Sequence, residues 1–74
     1  MTRSDERLTE EIRRLMSEAL GREIEVQTDF FAAGADSLAV EHVLTGLTGL
    51  LGMPIDGWWL LDHPTATLLA NALS

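Results

Sequence analysis

Ser37 is the residue best placed to do chemistry. It stands in Gly34-Ala35-Asp36-Ser37-Leu38, between a polar stretch ending in Phe30 and Phe31 and a long apolar run at helical spacing. Gly34 suits a sharp turn, because glycine takes backbone angles that other residues resist. Asp36 and Ser37 are both good helix N-caps. The pattern predicts a loop that delivers a serine hydroxyl to a helix N-terminus. Free N–H groups and the positive end of the helix dipole favour an anion there, so a phosphate ester on Ser37 would sit well. The plainer role for Ser37 is that of a cap alone.

Two other chemistries deserve weighing. Ser37 with His42 or His63 and an aspartate would suggest a small hydrolase. Helical spacing puts His42 more than a turn from Ser37 and on the surface, and a small helical bundle offers little water-excluded pocket or oxyanion hole. Metal binding is the other. The chain has no cysteine and only two histidines, which excludes disulfides and thiolate sites and falls short of an ordinary zinc site. His42 reads as a solvent-facing helix residue and His63 as a turn or capping residue.

The elements that must position Ser37 are helices. Residues 5–20 form the first, with Ser4 as a candidate cap and Asp5 and Glu6 in the first turn. Leu8, Ile12, Leu15, Met16 and Ala19 share one face, and Arg7–Glu11, Glu10–Arg14 and Arg14–Glu18 are i,i+4 pairs on the other. Gly21 stops this helix. Residues 22–36 make a connection long enough to suggest function. Ile24 and Val26 pin it, Asp29 to Ala33 can form one helical turn, and the phenylalanines read as core anchors. The second helix spans 37–51, with Val40, Val43, Leu44, Leu47, Leu50 and Leu51 as its core stripe. Leu38, Glu41, His42, Thr45 and Thr48 face outward. Gly46 and Gly49 lie inside it, each costing about 1 kcal/mol relative to alanine. That implies either a close neighbour or a soft helix. Pro54 prevents continuation. A short helix is expected at 57–61, burying Leu60 and Leu61 and leaving one of the adjacent Trp58 and Trp59 exposed. Thr65 caps a final helix at about 65–73, with Leu68, Leu69, Ala72 and Leu73 inward. The fold class expected is all-α, a four-helix bundle in one domain over 1–74.

Length and charge bound the rest. With 74 residues there is one modest core. No apolar run is long enough to span a membrane, and Met1 to Arg7 lacks a signal-peptide core. The expectation is a soluble, cytoplasmic monomer. All five basic residues are arginines at or before Arg22, whereas the seven acids from Glu23 onward meet no Lys or Arg and account for the net charge of −7. Such a surface repels nucleic acid and favours partners with basic patches.

On these residues the sequence resembles the acyl carrier and peptidyl carrier protein family across nearly its whole length. Gly34 to Leu38 looks like the family's attachment motif, whose Asp-Ser-Leu serine receives 4′-phosphopantetheine. Asp29-Phe30-Phe31 and Asp62-His63-Pro64-Thr65 are similar to the lead-in and closing motifs of carriers in polyketide and nonribosomal peptide assembly lines. The resemblance implies an acyl-carrier-like bundle and a phosphopantetheinyl transferase that uses coenzyme A and magnesium to modify Ser37, flanked by Asp36 and Leu38. It also implies acyl or aminoacyl thioesters on the arm, and partners that load, condense or tailor the cargo. The carrier itself would not be an enzyme. Leu38, Glu41, Trp58 and Trp59 are the candidate docking residues. The chain departs from the family at Ala33, where leucine is common, at the second helix, whose outer face carries only Glu41 as an acid, and at the two tryptophans. The motif at 34–38 is of fatty-acid-synthesis style, the other two of assembly-line style. The alternatives are therefore a fatty-acid carrier or a helical docking module without a cofactor, and the chain is expected to be either free-standing or one domain of a larger protein.

Overall fold

Four α-helices and no strand are seen in the computed structural model, which describes residues 3–74 and their side chains from Glu6 onward. Helix α1 spans Arg3–Leu20, α2 Ser37–Leu51, α3 Trp58–Asp62 and α4 Ala66–Leu73. The start of α1 lies two residues before the expected one, which places Ser4 and Asp5 inside its first turn; the expected Ser4 cap and the Asp5 side chain fall outside the described residues. The short helix lies one residue later than expected, and Thr65 caps α4 through Leu68 N–H at 3.1 Å.

Helix α1 is the common wall, packed against α2 and against α4. Its Ile12 and Met16 meet Phe30, Val43, Leu47, Leu60 and Leu69 in one core from which solvent is fully excluded. Leu8, Leu15 and Ala19 flank it, as do Val40, Leu44 and Leu51 from α2. Ile24 is buried and Val26 packs beside it, so both pin the connection.

Three expected core leucines face solvent. Leu50 shares the angular face of Val43 and Leu47 but sits in the last turn of α2, outside the packed cluster, and is half exposed. On α4 the buried face is Ala66, Leu69, Ala70 and Leu73, an i, i+3, i+4, i+7 line. That puts Leu68 on the opposite side and Ala72 at the margin. On α3, Leu60 is buried and Trp59 packs beside it, while Leu61 is 67% exposed. The large indole takes the inner position expected for Leu61.

The surface ion pairs of α1 also differ from expectation. Glu10 pairs with Arg13 and Glu11 with Arg14, both at i,i+3. The two interior glycines of α2 separate into different cases. A Cβ on Gly46 would lie 2.9 Å from Leu15 Cδ1 and 3.2 Å from Leu15 Cγ, so Gly46 lets α1 and α2 approach closely. Around Gly49 there is nothing within 4 Å.

Candidate functional site

The connection between α1 and α2 is held at both ends and in the middle. At its start, Gly21 N–H and Arg22 N–H donate to Ser17 C=O, closing α1. The buried Ser17 Oγ accepts from Ile24 N–H at 3.0 Å. Arg13 gathers the same region: Nη1 donates to Glu23 Oε1 at 2.7 Å and to Ile24 C=O at 3.1 Å, while Nε and Nη2 hold Glu10. These bonds keep the Glu10 carboxyl below its ordinary pKa and raise that of Arg13 further.

The middle of the connection is fixed by Phe30. Its ring is fully buried and meets Phe31 edge-on at 5.7 Å. Asp29 Oδ1 accepts from Ala32 N–H at 2.9 Å, and Ala33 N–H donates to Asp29 C=O, which makes the expected single turn. Phe30 N–H donates to Pro64 C=O at 2.7 Å. Two motifs far apart in sequence, 29–31 and 62–65, are therefore one structural joint. Val26 C=O, which accepts from Thr67 N–H and Thr67 Oγ1, adds a second tie to α4.

At the far end the chain turns into α2. Gly34 has φ +109°, a left-handed conformation that suits glycine. Ala35 N–H donates to Phe30 C=O at 3.2 Å, and Arg22 Nη2 reaches across to Ala33 C=O at 3.1 Å. Ala33 is thus tied through its carbonyl rather than through a large side chain. The N-cap is Asp36, in extended backbone, with its carboxylate accepting from Ala39 N–H at 2.9 Å.

Ser37 is consequently not the cap. It is the first residue of α2, exposed, and its hydroxyl has no hydrogen-bond partner among the described residues. The N–H groups of Ser37 and Leu38 lie in the first turn, where a helix offers no acceptor of its own. Leu38 is 75% exposed beside it, and Glu41 one turn on is exposed too. The fit to a covalently attached phosphodiester is good: a free, exposed hydroxyl at a capped helix start. The terminus is shared, since Asp36 already takes one of its donors.

The other candidate residues are not brought to Ser37 as a catalytic set. His42 Nε2 lies 3.2 Å from Glu18 Oε1 on α1, a surface contact between helices. His63 closes α3 with its N–H donated to Trp59 C=O, and its ring lies 6.0 Å from that indole. No group of three or more His, Cys, Asp or Glu that could hold a metal occurs among the described residues. Trp58 is half exposed and stacked on the partly buried Trp59, with centroids 4.7 Å and planes 20° apart.

The PP-binding family, whose description is the phosphopantetheine attachment site, matches residues 10–73. The chain belongs to this family. It is a carrier-protein domain, and such domains take 4′-phosphopantetheine covalently. The carrier is similar in structure to BlmI, a type-II acyl carrier protein from Streptomyces verticillus involved in bleomycin biosynthesis, with a TM-score of 0.89 at 20% identity. The match covers 99% of this chain and 94% of that one, and at that identity the likeness is one of fold. No curated protein sequence matches the carrier. No described helix is long and apolar enough to cross a membrane.

Sequence reasoning missed three parts of the site. Leu61, counted as core, joins Trp58 on the surface. The Phe30–Pro64 joint is a backbone bond, and side-chain pattern carries no signal for it. The choice of Asp36 over Ser37 as cap was open because both residue types cap well.

Proposed function

We propose that Ser37 carries the 4′-phosphopantetheine arm and that residues 1–74 act as one carrier domain for acyl or aminoacyl intermediates. The observation that carries this reading is the division of labour at the start of α2. Asp36 does the capping, so the Ser37 hydroxyl is left exposed and unengaged. When attached, the arm supplies the thiol that holds the cargo as a thioester, which fits a chain without cysteine. Tethering raises the effective concentration of the cargo at each partner enzyme, and the carrier performs no chemistry itself.

The partners in this reading are a phosphopantetheinyl transferase drawing on coenzyme A, a loading enzyme, and condensing or tailoring enzymes. Leu38 and Glu41, exposed beside Ser37, are their first contacts. A polyketide or nonribosomal peptide pathway is favoured by the joined motifs at 29–31 and 62–65. The fold likeness to a carrier involved in bleomycin biosynthesis points the same way. Net charge of −7 disfavours self-association and suits a monomer in the cytoplasm.

The test is intact mass after incubation with coenzyme A, magnesium and a broad-specificity transferase. Wild type gains one phosphopantetheinyl group. Ser37→Ala gains none and stays folded, with stability changed by less than about 0.5 kcal/mol because the cap is elsewhere. Label on the Ala variant, or an unmodified wild type beside a competent transferase, rules the assignment out.

A further inference from the structure

Arg22 is the residue that the attachment site leaves unexplained. It is exposed, and no carboxylate pairs with it among the described residues. It lines an open cleft of about 480 Å³ with Arg14, Ser17, Gly21 and two acids, Glu18 and Glu23. Both acids are engaged elsewhere. Glu18 Oε1 lies 3.2 Å from His42 Nε2, and Glu23 Oε1 accepts from Arg13 at 2.7 Å. The Arg22 guanidinium donates instead to Ala33 C=O at 3.1 Å. A charged donor makes one of the stronger hydrogen bonds available to a neutral carbonyl.

The position of that carbonyl gives the bond its consequence. Ala33 C=O belongs to the peptide plane that ends in Gly34 N–H. Gly34 has φ +109°, and a Cβ there would meet nothing within 4 Å. A glycine in open space puts little resistance on rotation of the plane before it. Both ends of this plane are nevertheless fastened: Gly34 N–H donates to Phe31 C=O at 3.0 Å, and Arg22 holds the carbonyl. The N–H groups of Ala33, Gly34 and Ala35 all bond back to residues 29–31, within the same turn. Among the described residues, only Arg22 bonds the stretch 31–35 to a residue outside that turn. Ala33 is not one of the side chains packed against the core, so the carbonyl is its anchor. The direction of this plane sets how the chain enters Asp36 and Ser37.

We infer that Arg22 is a positioning residue for the modification of Ser37. This rests on the carrier reading above. In that reaction Ser37 Oγ forms a bond to the phosphorus next to the pantetheine, and the pyrophosphate bridge of coenzyme A breaks. Adenosine bisphosphate leaves, and the hydroxyl proton passes to a base of the transferase. Arg22 acts through the 33–34 peptide plane, without touching the transferase or coenzyme A. Its loss misaligns the hydroxyl, so it lowers the limiting rate and leaves binding of the chain unchanged.

The experiment compares wild type, Arg22→Met and Arg22→Lys as full chains. Methionine keeps an unbranched stem without a donor, and lysine restores a charged donor. Each chain is modified in single turnover, with a broad-specificity transferase in excess and coenzyme A and magnesium saturating. Thermal unfolding is recorded for each, and the carbonyl carbon resonance of Ala33 is read in the unmodified chain without transferase. Arg22→Met lowers the limiting rate about fivefold at an unchanged half-saturating transferase concentration, and Arg22→Lys returns to within about twofold of wild type. The Ala33 resonance shifts in Arg22→Met and moves back in Arg22→Lys. An unchanged limiting rate in a folded Arg22→Met chain overturns the inference while leaving the carrier reading standing. A rise in the half-saturating concentration alone, which would make Arg22 a direct contact of the transferase, also overturns it. So does an Ala33 resonance that stays where it is. A wild type that accepts no phosphopantetheine removes the carrier reading and the inference with it. Should Arg22→Met fail to fold, Arg22→Gln, whose shorter side chain leaves its amide short of Ala33, carries the same comparison.

Discussion

The chain up to Asp36 and the chain from Ser37 on treat their surfaces in opposite ways. In the first part Arg13 and Arg14 meet Glu10, Glu11 and Glu23, while Asp29 and Asp36 are engaged as caps. No large apolar side chain is exposed there among the described residues, whereas the second part exposes Leu38, Leu50, Met53, Trp58, Leu61 and Leu68. Its acids Glu41, Asp56 and Asp62 have no ion-pair partner among those residues. Exposed leucines taken singly mean little. Four of them with Met53 and Trp58, together with unpaired acids and the exposed Ser37, set the second part of the chain apart from the first. The first part holds, and the second presents.

The sharpest way to break this contrast is to loosen the part that holds. Phe30 is fully buried and joins the loop to Pro64. Phe30→Ala should cost about 3–5 kcal/mol from a total of roughly 4–11 kcal/mol for a domain this size. Urea denaturation would show a large fall in midpoint. Trp58→Ala, on the presenting side, should leave the midpoint nearly where it is. Equal losses in the two variants would mean that the exposed indole is part of the scaffold, and the contrast would fail.

Much of this was legible in the sequence, and the misses share a cause. The limits of α2 are written in local chemistry: Gly34 and Asp36 before it, Gly52 at φ +74° and Pro54 after it. The all-α class followed from apolar spacing alone. Periodicity, however, says which residues share a face and not where the covering elements stop. Leu50 lies on the right face and past the core's edge. In α3 and α4, with 5 and 8 residues, several faces satisfy the pattern, and inward positions for Leu61 and Leu68 fit it as well as the exposed ones they take. The cap was a tie between two good residue types that backbone geometry decided for Asp36.

The two interior glycines sharpen the same contrast at smaller cost. Gly46 faces α1, and a methyl there meets Leu15. Overpacking costs about 1–3 kcal/mol against about 1 kcal/mol gained in helix propensity. Gly46→Ala should therefore lose up to about 2 kcal/mol. Gly49 looks outward onto nothing within 4 Å, so Gly49→Ala should gain about 1 kcal/mol from propensity alone. Opposite signs in thermal or urea unfolding are the expected result. If both variants gain, Leu15 yields freely and the α1–α2 contact is looser than its geometry.

The smallest effect concerns the charges of α1. Hydrogen bonds from Arg13, chiefly, hold the Glu10 carboxyl below its ordinary pKa. A carboxylate depressed in the folded state contributes stability that is fully present above its unfolded pKa and is lost as pH falls through the folded one. Arg13 is raised by the same Glu10 carboxylate and by Glu23, so it stays charged throughout and its share falls only as those carboxylates protonate. Glu10 is exposed and the pair is screened, so the contribution is small. Between neutral pH and about pH 3, wild type should lose slightly more thermal stability than Glu10→Gln, whose side chain does not titrate. The difference should shrink in high salt, because a surface pair is screened within a Debye length. Parallel pH curves for the two proteins would show that Arg13 fastens the loop through Glu23 and Ile24 C=O alone. The holding part would then owe its rigidity to the bonds that cross from helix to loop, and not to pairs along the helix.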